Sequence, residues 1–370
     1  MKHGSDSLGR TLIAGALAVL LQAGASRGQT LEETLNDLSA DAAAQYVAPI
    51  SSALGANLNS GWFHRAPKAD KLGFNLEAGV ALMGSFFPTD ASHFDVQGQF
   101  RFSNGQAGQL VDEYERTEGY LPASVRNELV RQLTGQNSTV RISGATVIGA
   151  PTDSVTVAFG GDTYTAFGNP YTLPAYDLKL PFGGFGGLAD ISLLPFVAPQ
   201  LTLGTFYGTQ FTLRYLPAVE LDSDLGEFKY LGFGIQHNPA VWLDMKLPVD
   251  VAASLFTQSI QVGDIFDCSS FALGLNASKT FGWRFLNLTP YAGLMYEDAS
   301  MKVSYDFIVE VPTDVDPAGQ VVQPVSLDLA SDNTMRLTLG TNIRLGIINW
   351  NLDYSIATYS AVSMGVSLAF

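Results

Sequence analysis

The side chains that most often do chemistry are few in this 370-residue chain and stand apart from one another. Beyond residue 28 the histidines are His64, His93 and His237, none at metal-ligand spacing from another histidine or from the single cysteine, Cys268. Serine or aspartate hydrolases need a nucleophile or water beside a base that a third group orients, and no stretch of this sequence proposes such a set. The three histidines read as polar or interfacial residues. Asp222-Ser223-Asp224-Leu225-Gly226-Glu227 has the carboxylate density of a calcium loop without the length or ligand positions of the EF-hand pattern, and reads as an acidic turn. One cysteine allows no internal disulfide. No catalytic, cofactor-binding or metal-binding residue is predicted, and no enzymatic activity is expected.

One set of charges remains, Arg214, Arg336, Arg344, Asp306, Glu310 and Asp353, and its meaning depends on the elements that carry it. In Leu72–Phe86 the even positions Leu72, Phe74, Leu76, Val80 and Leu82 are apolar, while the odd ones include Asn75, Glu77 and Gly79. Met335, Leu337, Leu339, Ile343 and Leu345 oppose Arg336, Thr338, Asn342 and Arg344, and Met301, Val303, Tyr305, Phe307 and Val309 oppose Lys302, Asp306 and Glu310. A period of two puts one set on each face of a sheet. A soluble sandwich would alternate likewise, but these segments reach about 10 residues, the length of a tilted membrane-crossing strand. Trp242, Trp283, Trp350, Phe86, Phe87 and Tyr359 fall near expected turns, where interfacial aromatic girdles sit. The charged set is then expected to face a lumen. It reads either as a constriction that contacts substrate headgroups or, preferably, as salt bridges bracing an occluded interior.

Composition agrees with that reading. Hydrophobic residues make up 46% and charged residues 15%, too few charges to cover an ordinary soluble surface. Lys2 and Arg10 precede an apolar, small-residue stretch ending near Gly28, the pattern of a signal peptide (residues 1–28) cut before Gln29; Leu12–Leu21 is too short to anchor in a bilayer. Without residues 1–28 the chain has 17 basic and 34 acidic residues, a charge of −17, which argues against nucleic acid as a partner.

The expected fold is an all-β transmembrane antiparallel barrel of about 14 strands: 72–86, 93–103, 139–149, 152–160, 191–202, 205–221, 227–237, 248–262, 269–281, 284–297, 300–311, 333–347, 349–358 and 361–370. Residues 29–71 precede it as a short helical plug or hatch, with Leu31–Leu38 and Ala42–Ile50 as helical candidates, and residues 72–370 form the barrel. Two inserts interrupt the pattern: 104–138, with a helix expected at Ala123–Leu133, and the Pro- and Gly-rich 160–190. With periplasmic termini the latter falls awkwardly in the periplasm, unless a strand pair is missing or it folds into the lumen. Ser363, Gly365, Leu368 and Phe370 match the ending that the barrel-assembly machinery recognises. The expected location is the outer membrane of a Gram-negative bacterium, with its lipid bilayer as a partner.

Asn57-Leu58-Asn59-Ser60-Gly61-Trp62, Leu231-Gly232-Phe233-Gly234-Ile235-Gln236-His237-Asn238 and Pro290-Tyr291-Ala292-Gly293-Leu294 resemble an uncharacterised family of predicted outer-membrane barrels. That family is similar in layout to the long-chain fatty-acid transporters, which have 14 strands and an N-terminal hatch. The resemblance implies transport of small hydrophobic molecules, fatty-acid-like ligands, and a sheet edge interrupted at Pro195 and Pro199 through which ligand leaves sideways. The alternatives are a general porin for polar solutes and a structural or adhesive barrel.

Overall fold

The computed structural model describes residues 40–180, 183–184, 192–222, 226–243, 247–283, 285–310 and 320–370. The expected signal peptide, the Leu31–Leu38 helix and the middle of the acidic turn lie outside them. Two units are present, one of residues 50–88 and 191–370 and one of residues 89–190 with the stretch before Ile50. The helix α1 (Ala40–Leu58) contributes to both, and β1 (Leu72–Phe86) begins the larger.

The smaller unit is an insertion after β1. It comprises β2 (His93–Phe100), α2 (Asn104–Glu118), α3 (Ala123–Gly135), β3 (Ser138–Ala145), β4 (Thr156–Phe159), β5 (Asp162–Ala166), β6 (Asn169–Leu173) and β7 (Tyr176–Lys179). Strands β2, β3, β4 and β7 form one antiparallel sheet in that order, and β5 and β6 form a hairpin. Its core contains Phe100, Phe102, Val140, Ile142, Phe159, Leu129 and Leu133. Pro122 opens α3 and Gly135 closes it, as the sequence suggests. The helix α2 was not foreseen, although Ser103 and Gln106 make a reciprocal capping box at its start. Residues 160–180 thus carry β5, β6 and β7 of this unit rather than a structureless loop.

The larger unit continues with β8 (Leu193–Phe206), β9 (Thr209–Asp222), β10 (Gly226–His237), β11 (Asp250–Val262), β12 (Phe266–Ser278), β13 (Phe281–Trp283), β14 (Leu286–Glu310), β15 (Gln320–Ala330), β16 (Met335–Leu345), β17 (Ile348–Ile356) and β18 (Ala361–Ala369). The order β12-β11-β10-β9-β8-β1-β18-β17-β16-β14 closes when β14 bonds back to β12, giving an antiparallel barrel of ten strands. β13 and β15 pair only with β14. The count is ten rather than the expected 14. Three expected strands, 93–103, 139–149 and 152–160, belong to the inserted unit, and 284–297 and 300–311 are two halves of the 25-residue β14. Phe86 and Leu193, which flank the insertion, pair at the end of the barrel opposite Phe370, so the parity difficulty with residues 160–190 disappears.

β14 reads as two strands because its apolar set changes faces. Leu294 and Tyr296 point outward and are exposed, whereas Met301 is buried and Lys302 is exposed. Met301 therefore faces in, not out as its alternation with Lys302 had suggested. β11 changes in the same way, from outward Leu255 to outward Thr257, Ser259 and Gln261, with Ile260 and Val262 buried. Below that level the wall presents exposed Phe74, Leu203, Leu213, Phe233, Leu275, Leu339 and Leu352 around the barrel, while the interior holds buried polar groups such as Gln236, Asn276 and Asn342 beside an apolar cluster. A soluble surface does not carry such a belt, and a closed antiparallel wall of this kind suits hydrocarbon. Above it the outer face suits water.

The belt ends in aromatic residues. Trp242 and Trp283 are exposed on the side of Phe370, and Tyr207 stacks on Trp242 with centroids 5.4 Å apart. Phe86 is exposed at the other end. Tyr359, expected in the girdle, is instead buried against Phe87.

The wall is not uniformly zipped. β8 pairs with β1 along its whole length, but its pairing with β9 begins only at Gln200↔Arg214. Among the described residues no ladder bond joins 193–199 to β9. Pro195 and Pro199 lie in that stretch and Pro217 on the facing strand, and proline offers no donor to a ladder.

The observed register places Leu339 half-exposed on the belt and Asn342 buried inside. Leu339→Arg should destabilise the inserted barrel by about 2–4 kcal/mol if it lies near the midplane, whereas Asn342→Ser should change stability little. Urea unfolding from liposomes measures both, and equal losses would show the register to be wrong.

Candidate functional site

The interior of the barrel is built around residues 50–67. The last turn of α1 ends there, and a helix leaves its final carbonyls without intrahelical partners. The wall and the following residues supply donors. Arg336 Nη2 donates to Ala56 O at 2.8 Å and its Nη1 to Ser60 Oγ. Leu58 O accepts from Trp62 Nε1 at 2.9 Å, from Gln258 Nε2 and, at 3.4 Å, from Arg214 Nη1. Arg214 Nη2 donates to Ser60 O at 2.9 Å and Nε to Gln200 Oε1 at 3.0 Å. Asn57 Nδ2 donates to Leu194 O at 2.7 Å, Ser85 Oγ to Ala53 O, and Ser278 Oγ accepts from Ala66 N at 2.9 Å.

The two buried arginines are balanced differently. Arg336 faces Glu297, with Nε 2.8 Å from Oε2 and Nη2 donating to Oε1 at 3.1 Å, both side chains about 1% exposed. Arg214 has neutral oxygens and an aromatic face, its guanidinium 4.0 Å from the Trp62 ring centre. Both also meet the negative end of α1, where cations are favoured. A third charged group, Glu77, lies 2.9 Å from His64 Nε2 and pairs with Arg65, with Asn75 donating at 3.0 Å. Beside it is a cavity of about 20 Å³, room for roughly one water.

An apolar cluster, Trp62, Phe63, Phe256, Ala272, Tyr291 and Met295, fills the side of the lumen toward β11, β12 and β14. Trp62 and Phe63 stack on Phe256, at 5.0 and 6.2 Å between centroids. Tyr291 donates its hydroxyl to Asp353 Oδ2 at 2.8 Å, which Ser363 Oγ also reaches at 2.6 Å.

Of the residues expected to face a lumen, Arg214, Arg336 and Asp353 do so and are buried. Arg336 and Arg214 hold the end of α1, and Asp353 holds Tyr291 while acting through space on both arginines. Arg344 lies at a strand end and donates to Gly346 O at 2.9 Å. The side chains of Asp306 and Glu310 lie outside the described residues. Glu297 was missed, and its signal was available: it is in phase with the inward residues of β14. Trp62 and Phe63 were missed because nothing in their spacing sets them apart from an interfacial pair.

The histidines are dispersed. His237 accompanies Thr209 and Trp242 at the barrel rim, with ring–partner distances of 2.9 and 3.2 Å. In the inserted unit His93 Nδ1 is 2.9 Å from Ser92 Oγ and Nε2 meets Asp153. Ser92 Oγ also reaches Thr89 O at 3.2 Å, and the group braces two turns. On the same unit Arg141 holds the Asp95 carboxyl below its ordinary range through hydrogen bonds. Among the described residues no cluster of three or more His, Cys, Asp or Glu could hold a metal.

Residues 8–370 match the profile of a family described as a family of unknown function (DUF6588), and the chain belongs to it. No curated protein sequence matches. Among solved structures, similar ones include a loop L8 deletion mutant of OmpT, an outer membrane protein of Vibrio cholerae, at 8% identity over 80% of this chain and 98% of that one, TM-score 0.21. Others are the translocator domain of the autotransporter NalP from Neisseria meningitidis (11% identity, 81% and 89%, 0.23) and the outer membrane protease OmpT from Escherichia coli (8%, 82% and 98%, 0.23).

Removing one member of the buried pair strands the other. Arg336→Met should cost about 3–5 kcal/mol, while Arg336→Met with Glu297→Leu should recover a large part of it. Urea unfolding of the two variants in liposomes tests this; equal stabilities would mean that Glu297 is not the partner that matters.

Proposed function

We propose that this family member is an outer-membrane transporter that passes small hydrophobic molecules through a barrel closed by its own N-terminal segment. In this reading residues 1–28 are the signal peptide that exports the chain, residues 29–71 are the hatch, and the strand ending at Phe370 is the signal for the assembly machinery. The observation that carries it is the unzipped stretch of the β8–β9 seam, with Pro195, Pro199 and Pro217 around it, beside a lumen filled by residues 50–67. An apolar solute can leave such a lumen sideways into hydrocarbon, a route of no use to a polar one. The lumenal aromatic cluster gives that solute a surface. A general porin needs a continuous water path, and the docked segment argues against one. The inserted unit of residues 89–190 favours one second reading, a barrel that carries a binding module between β1 and β8.

The full-length protein in a planar bilayer should show little steady conductance, and deletion of residues 50–67 should produce large openings. Fatty acids should bind the intact protein more tightly by about 0.8 kcal/mol per added CH₂. Large conductance before deletion, with no dependence of binding on chain length, would favour the porin.

Phe370 exchanges backbone hydrogen bonds with Leu76 at the closing seam, at 2.9 and 3.3 Å, and its ring is exposed. Phe370→Ala should therefore lower the folded protein recovered from outer-membrane fractions. Recovery at the wild-type level would remove the terminal residue from the assembly signal.

A further inference from the structure

We infer that the recess filled by Trp62 and Phe63 is the ligand site of the barrel, and that it is shaped for a flat aromatic ring carrying an anionic group. The inference rests on the transporter reading above and narrows its substrate class. Three inward positions around the recess are glycines. A Cβ at Gly232 would lie 2.9 Å from Trp62 Cη2, at Gly234 3.2 Å from Trp62 Cε3, and at Gly293 2.5 Å from Phe63 Cζ. The floor has to be bare for rings to lie on it.

The wall is as selective as the floor. Phe256 runs nearly parallel to both rings, tilted 17° from Trp62 and 9° from Phe63, and Tyr291 meets Phe63 edge-on at 67°. Ring stacking of this kind rewards a planar occupant beyond the area it buries, and an alkyl chain in the same slot forgoes that term. Arg214 lies over the slot, fully buried; its hydrogen bonds go to neutral oxygens, its guanidinium faces the Trp62 ring, and the one carboxylate that acts on it, Asp353, does so through space without an ion pair to it. A buried guanidinium binds a carboxylate more strongly than a carbonyl, so an acidic group on the incoming ring has a partner waiting. The position also fits: Gln200↔Arg214 is the first rung below the unzipped stretch of β8, and Arg214 pairs with Gly232 on its other side. A solute using that seam meets this slot at its foot. Trp62 and Phe63 are then place-holders that a ligand displaces.

Calorimetric titration of the full-length protein in detergent with 2-naphthoate and with decanoate tests the assignment. Trp62→Ala should bind 2-naphthoate about tenfold tighter than wild type, because no ring has to be expelled, with decanoate nearly unchanged. Adding Arg214→Gln should abolish that gain. Phe63→Ala, which vacates the other half of the recess, should behave like Trp62→Ala and decides the matter if Trp62→Ala does not fold. No gain in a folded vacated variant, or an equal gain for decanoate, overturns the inference. If that happens while deletion of residues 50–67 still opens the barrel and fatty acids still bind by chain length, the site assignment alone has failed; if the intact barrel conducts and binds no amphiphile, the transporter reading has failed first.

Discussion

A helix that ends inside a barrel has to have its last carbonyls answered there, because a lumen filled with protein offers them little water and an unmet acceptor costs about 1–3 kcal/mol. In this protein the donors come from three parts of the wall: Arg214 on β9, Gln258 on β11 and Arg336 on β16. Donors spread around the circumference fix both the depth and the rotation of residues 50–67. The dependence runs both ways. A buried guanidinium is tolerable only when negative charge surrounds it, and the end of α1 supplies part of that charge to both arginines, with Glu297 adding the rest for Arg336. Segment and wall are therefore stable together, and each leaves the other with unpaired groups if it goes.

The second constraint is the change of solvent along the wall. A β-strand has a fixed period of two, so a strand that passes from hydrocarbon into water has to exchange the character of its faces without changing its geometry. β14 does so between Tyr296 and Met301, and β11 just above Leu255. This is why β14 is much longer than the 9–11 residues that a crossing requires, and why β15, paired only with its upper half, stands outside the ring of ten.

Those two constraints divide what the sequence reveals from what it hides. Alternation is a local property, and where one strand faces one solvent it is read directly: the limits of β1 and the inward placement of Arg214, Arg336 and Asp353 follow from it. It cannot say which sheet a strand joins. His93–Phe100 and Ser138–Ala145 alternate as barrel strands do, but their apolar face packs in a separate core. Nor can it distinguish a phase slip that marks a turn from one that marks the edge of the bilayer, the reason β14 was divided in two. The recess that holds Trp62 within the expected plug is not legible, because what defines it is the absence of side chains at Gly232 and Gly234, and a glycine in a strand has several explanations.

The seam and the lumen share a residue, which ties the edge of the gap to the segment that fills the lumen. Arg214 is the β9 partner in the first rung to β8, and the same side chain holds Gln200 across that rung, Leu58 and Ser60 on the lumen segment, and the face of Trp62. Leu194, within the unzipped stretch of β8, gives its carbonyl to Asn57 of the same segment. Moving residues 50–67 thus releases a donor and an acceptor at the edge of the gap at the moment the lumen is vacated. Two sites that draw on the same groups are energetically coupled whatever the sequence of events. On the slot proposed above, a ligand that binds only when Trp62 has moved would favour every state in which the rung at Gln200 has lost its anchor, and occupancy and loosening of the seam would increase together.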